Sequence, residues 1–118
     1  MGDSLRSRIF RDGLLDGQVV VISGAGSGFG RETALEMLRL GATVIGCGRR
    51  TEPLEETASL AEGLPGDFSF RGLDIRDDEG VDQFFDWVLA ENGHLDILVN
   101  NAGGQFLSPA EAITPKGF

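Results

Sequence analysis

The stretch VVVISGAGSGFGRE at positions 19–32 constrains the fold more than any other part of the chain. Val19, Val20, Val21 and Ile22 run without a polar break, as in a strand buried on both faces of a parallel sheet. The next eight residues, Ser23 to Gly30, are nearly devoid of bulky side chains, and a helical pattern follows from Arg31 to Leu40. A glycine-rich turn between a buried strand and a helix lets backbone approach a phosphate closely, and the free N–H groups at the helix start favour its charge. The stretch therefore predicts a nucleotide site. Counted from Gly24, the G-x-G-x-x-G spacing fails, because Phe29 stands at its sixth position. The spacing that fits is [S/T]-G-x-x-x-G-x-G, carried by Ser23, Gly24, Gly28 and Gly30. Glycine-rich turns also arise for purely local backbone reasons, so the rest of the chain must decide.

It decides by alternation. Ala34, Leu35, Met37 and Leu38 supply an apolar stripe, Gly41 a helix stop, and residues 43–47 (TVIGC) a second strand. Thr51 reads as the N-cap of a helix running to about Glu62, with Gly63, Pro65 and Gly66 breaking it. Phe68, Phe70 and Leu73 mark a third strand closed by Asp74. Asp77 reads as the cap of a third helix, with Val81, Phe84, Phe85, Val88 and Leu89 as its core stripe. Leu95, Ile97, Leu98 and Val99 form a fourth strand leading into Asn100–Gly104, and Thr114 and Pro115 start one more helix. Residues 1–17 are an arm. The expected fold is α/β: a Rossmann-type, doubly wound parallel sheet in three αβα layers, with strand order 3-2-1-4 and one domain over residues 1–118. In that order the glycine turn and the Asn100–Gly104 loop face one crevice.

The residues at the end of the second strand bear on the cofactor. Such folds use an acid about 20 positions past the glycine turn to hold the ribose of NAD. Here the strand ends Gly46, Cys47, Gly48, Arg49, Arg50, with no acid. A carboxylate would repel a 2′-phosphate, whereas Arg49 can grip one with two hydrogen bonds, so NADP(H) is expected over NAD(H). Arg50 is the weaker candidate, and the competing reading makes both arginines solvated turn residues.

Composition narrows the partners. With net charge −9 and pI 4.4, sequence-independent binding to nucleic acid or an acidic membrane is not expected, since both draw on surplus Lys and Arg. No apolar run approaches the roughly 18 residues of a membrane span, and the N-terminus lacks a secretory h-region. The expectation is a cytoplasmic protein, or a peroxisomal one in a eukaryote. Cys47 falls in an apolar strand and reads as core; His94 reads as a surface turn residue. No metal site is indicated.

SGAGSGFG at 23–30, LDI at 73–75 and NNAG at 100–103 together resemble, in order and spacing, the short-chain dehydrogenase/reductase family. The resemblance implies that Asp74 accepts the adenine amino group, the backbone of Ile75 flanks the ring, and Asn101, Ala102 and Gly103 support the sheet while lining the ribose. Ser27 and Phe29 would meet the phosphates through their N–H groups. A narrower likeness, in GLLDGQVV at 13–20 and GGQFLSPAEAI at 103–113, is to the peroxisomal trans-2-enoyl-CoA and 2,4-dienoyl-CoA reductase branch and related bacterial alcohol dehydrogenases. By that likeness Arg49, Arg76 and Phe106 lie near an acyl-CoA, although Arg76 is also placed to pair with Asp77 or Asp78. The chain departs from the family in one respect: it has no tyrosine, so the Tyr and Lys of the YxxxK pattern are missing, as are the partnering Ser and Asn. The expectation is the cofactor-binding half of an NADP(H)-dependent oxidoreductase that acts on a small-molecule carbonyl, alcohol or enoyl-CoA-type substrate and assembles as a homo-oligomer. The alternative is a naturally short, non-catalytic nucleotide-binding or interaction module.

Overall fold

The computed structural model describes residues 5–101. Its elements are β1 (Val19–Ser23), α1 (Gly28–Arg39), β2 (Thr43–Gly48), α2 (Thr51–Leu60), β3 (Asp67–Gly72), α3 (Asp78–Asn92) and β4 (Ile97–Asn100). The four strands form one parallel sheet in the order β3-β2-β1-β4, as expected from the alternation. β1 lies in the middle, with Val21 opposite Ile45 of β2 on one side and Leu98 of β4 on the other.

The alternation of side chains along β1 and β2 creates the layers. Val20, Ile22 and Val44 point to one face, where Ala34, Leu35 and Leu38 of α1 and Leu54 of α2 cover them. Val19, Val21, Ile45 and Cys47 point to the other, under Phe84 and Val88 of α3. Both faces of the central strands are thereby dry, which is why β1 carries no polar residue before Ser23. Cys47 belongs to this second layer; burial pushes its thiol up to about 11, so it stays neutral and inert.

Several boundaries differ from the sequence expectation. α1 begins at Gly28 rather than Arg31, because Gly28, at φ +55°, turns the chain into the helix axis early. Arg50 rather than Thr51 occupies the N-cap position of α2, and its long side chain makes no cap; the helix stops at Leu60. β3 ends at Gly72, although the Leu73 N–H still donates to Gly48 O at 2.7 Å. Leu95 precedes β4 and packs into the second layer.

The stripe on α3 is narrower than expected. Phe84 and Val88 are buried, Val81 and Phe85 half-buried, and Leu89 is 48% exposed. A helix lying on a sheet buries its contact line fully and its flanks only in part. Trp87 takes one flank, with the Arg71 guanidinium 3.8 Å from its ring centre. The segment before β1 is tied down more firmly than the word arm suggests. Leu15 packs against the first layer, its N–H donates to Leu40 O at 2.9 Å, and the Ser7 hydroxyl donates to Glu36 Oε2 at 2.6 Å. His94, on the surface as expected, bridges Gly17 O and Asp96 Oδ2 at 3.1 and 2.9 Å.

Candidate functional site

The carboxyl ends of β1 and β2 and the residue after β4 open onto one cleft of about 400 Å³. Gly24, Gly26 and Ser27 form one wall, Gly48, Arg49 and Arg50 the second, and Asn101 lies alongside; Pro53 and Leu54 of α2 close the floor. A larger hollow of about 460 Å³ is lined by Arg6, Ser7, Arg8, Phe10, Arg11 and Asp12. It lies on the segment that enters β1, away from the carboxyl strand ends where doubly wound sheets take ligands.

The start of α1 is chemically open. Ser27 holds the N-cap position with an extended backbone but makes no side-chain cap, and the first turn contains no acid. The first main-chain bond of the helix runs from Arg31 N–H to Ser27 O at 3.2 Å, so the N–H groups of Gly28, Phe29 and Gly30 remain for a ligand. Phe29 is 84% exposed, so its side chain contributes nothing to the core. Gly30 is required for a different reason: a Cβ there would stand 2.0 Å from Gly24 O and 2.8 Å from Asn101 Nδ2. Strand end, turn and helix are in backbone contact at this point.

Ser23 does not face the cleft. Its side chain is buried, accepts the Asn101 N–H at 2.9 Å, and reaches Asn100 Oδ1 at 3.3 Å and Val99 O at 3.4 Å. The hydroxyl thus ties the exit of β1 to the exit of β4 and fixes Asn101 against the cleft. Asp74 and Arg76 form one unit. Asp74 Oδ1 accepts from Arg76 N–H at 3.0 Å and Nε at 3.3 Å. Arg76 therefore pairs backward with Asp74 rather than forward with Asp77 or Asp78, because Asp77 is already engaged in capping α3 through Gly80 N–H at 3.1 Å. The Arg76 backbone N–H first, then its guanidinium and the field of Arg49, hold the Asp74 carboxyl below the usual range. Ile75, half-buried, follows in the same turn. Ala102, Gly103 and Phe106 lie outside the described residues.

Two further residues hold the cleft together and escaped the sequence reading. Arg31, in the first turn of α1, reaches across to α2, and Thr57, a fully buried helix residue, meets it there at 3.0 Å. Neither has a sequence signature: Arg31 looks like any helix-surface cation, and Thr57 like any helix-interior hydroxyl.

The parallel sheet in the order β3-β2-β1-β4, with a glycine turn and an uncapped helix start at its carboxyl edge, defines a doubly wound, Rossmann-like α/β fold. The family model described as short chain dehydrogenase matches residues 18–118, and the chain belongs to that family. It is 41% identical over 113 residues to a probable 2,4-dienoyl-CoA reductase of Caenorhabditis elegans, covering 93% of this chain and 36% of the relative. It is 35% identical over 104 residues to a probable 2,4-dienoyl-CoA reductase of Bacillus subtilis, covering 88% and 41%. Among solved structures it is similar to the citronellol catabolism dehydrogenase AtuB of Pseudomonas aeruginosa, with a TM-score of 0.77, 46% identity, and coverage of 92% of this chain and 44% of that one. The chain thus spans less than half the length of these relatives. No helix among the described residues is long and apolar enough to cross a membrane.

Proposed function

We propose that this chain is the cofactor-binding half of an NADP(H)-dependent oxidoreductase, acting as one domain over residues 1–118. The observation that carries the proposal is the pairing, in one cleft, of an uncapped, acid-free helix start with Arg49 on the opposite wall. The cradle suits a dinucleotide. Its glycines allow no side chain where the backbone must come close, and its donors are amides, which suit a diphosphate. Gly24, Ser27, Gly28, Phe29 and Gly30 would hold the diphosphate, and Arg49 the 2′-phosphate on the adenosine side. Asp74, whose Oδ2 has no partner among the described residues, would accept the adenine amino group beside the Ile75 backbone. Asn101, Ala102 and Gly103 would line the ribose, with Ser23 fixing Asn101 from behind.

A bound nicotinamide supplies or takes up a hydride. The chain's own residues bind and orient that group; the acid–base residues of the family lie in no part of this sequence. The substrate class in this reading is a carbonyl, alcohol or enoyl-CoA-type small molecule, supported by relatives named as probable 2,4-dienoyl-CoA reductases and by the citronellol catabolism dehydrogenase. Arg76 and Phe106 are the residues proposed to face it, and the working protein is proposed to be a homo-oligomer. The cofactor preference is tested by titrating Arg49→Ala with NADPH and NADH under fluorescence. NADPH binding is expected to weaken by about 1–3 kcal/mol through loss of charged hydrogen bonds, and NADH binding far less. Equal losses for the two would overturn the NADP(H) assignment.

A further inference from the structure

We propose that Arg31 and Thr57 are positioning residues that aim the amides of the glycine loop at a bound diphosphate; the inference rests on the reading of this cleft as a dinucleotide site. Thr57 donates its hydroxyl to Ala25 O at 2.9 Å, lies 3.2 Å from Pro53 O, and accepts from Arg31 Nε at 3.0 Å. The Nη2 of Arg31 donates to Gly26 O, to Pro53 O at 3.1 Å and to Glu56 Oε2 at 3.1 Å. Two consecutive loop carbonyls, Ala25 and Gly26, are therefore captured from the α2 side.

The capture has a directional consequence. In a trans peptide the carbonyl and the N–H of the same unit point in opposite directions, and the described residues contain no cis bond. Holding Ala25 O turns the Gly26 N–H away from Thr57, and holding Gly26 O turns the Ser27 N–H away from Arg31. Among the described residues neither amide meets an acceptor, and both residues line the cleft. A glycine-rich loop left to itself would sample many peptide orientations. The Arg31–Thr57 pair restricts it to the one that presents donors to an anion. Glu56 partly offsets the Arg31 charge, and Thr57 carries none, so the effect works through peptide orientation rather than through attraction alone.

The test uses the full-length protein, labelled with ¹⁵N and titrated with ADP, which has a diphosphate, and with adenosine, which has none. In the wild type, ADP is expected to shift the amide signals of Gly26 and Ser27. In Thr57→Val and Arg31→Met those shifts should disappear and ADP should bind about tenfold more weakly, the effect of misplaced hydrogen-bond donors, while adenosine binding stays within about twofold. Thr57→Ser, which keeps the hydroxyl, should restore both. Equal weakening of ADP and adenosine would make the pair merely structural and overturn the inference. So would normal ADP shifts in both variants. A wild type whose Gly26 and Ser27 amides ignore ADP would overturn the cleft assignment itself, and this inference with it.

Discussion

The starts of α1 and α3 solve one problem in opposite ways. Each helix leaves main-chain N–H groups without partners in its first turn. At α3 the protein closes the end itself: Asp77 accepts the Gly80 N–H, and Asp78 and Glu79 add negative charge beside the helix dipole. At α1 it does none of this. Ser27 makes no cap, no acid stands in the first turn, and Gly26 and Gly30 stand where a Cβ would collide with Pro53 and with Gly24 O. In a chain with 19 acidic residues, an acid-free helix start matters. One end is finished for stability; the other carries neither a side-chain cap nor a first-turn acid.

Filling the open end with matter should have the largest effect. Gly30→Ala places a methyl group against the backbone oxygen of Gly24, where neither side can yield as a flexible side chain would. A loss of about 3 kcal/mol in unfolding free energy is expected from such overpacking, together with loss of dinucleotide binding; denaturant melts and titration would read both. Stability unchanged by Gly30→Ala would mean that strand and helix do not meet as described.

Converting the open end into a closed one should split stability from binding. Ser27→Asp gives α1 the cap that α3 already has. Thermal unfolding is expected to show a gain of about 0.5–1 kcal/mol, while NADPH affinity falls by about tenfold or more as the carboxylate takes up the phosphate's place. A variant that gained stability and still bound NADPH normally would break the comparison.

The reverse change at α3 should cost only stability. Asp77→Ala removes a cap worth about 1 kcal/mol and is expected to leave nucleotide binding unchanged, since the start of α3 does not line the cleft. Chemical denaturation beside the same titration would check it.

The smallest expected effect concerns Asp74, an acid that does feel the basic rim of the cleft. Its carboxyl is held low in the folded state, so its contribution to stability is present above the unfolded value of about 3.9 and fades as pH falls through the lower folded value. Arg76→Gln should raise the Asp74 midpoint only part of the way, because the larger influence, the backbone N–H of residue 76, survives the substitution. Carbon-detected NMR titration of the Asp74 carboxyl would follow it. A complete return to the ordinary value would assign the shift to the guanidinium instead.

Much of this was legible along the chain. A strand with no polar residue before Ser23, a glycine turn and a helical stripe are local patterns, each set by the period of its own element, and they suffice for the order of elements and the mouth of the crevice. The place of Arg49 on the cleft wall was legible too, because it directly follows the second strand, whose carboxyl end opens onto the crevice. The width of the α3 stripe was not: Leu89 satisfies the helical period as well as Val88 does, and only the sheet beneath decides which is covered. Nor was the true partner of Arg76, since Asp74, Asp77 and Asp78 are all near neighbours and the choice turned on which carboxylate was already committed to a helix end.

The sequence by itself determined a parallel α/β fold with a glycine-rich first turn leading into a helix, because short-range periodicity and backbone permissiveness are properties of neighbouring residues. Only the tertiary structure decided that Ser23 binds β4 instead of facing the cleft, and that Arg31 and Thr57 grip the loop carbonyls. Apart from the Arg31–Gly26 bond, which spans five positions, those contacts and the Arg31–Thr57 bond join residues 26 to 78 positions apart. Crossovers of the chain bring such partners together, and no local pattern specifies which polar group will meet which across that distance.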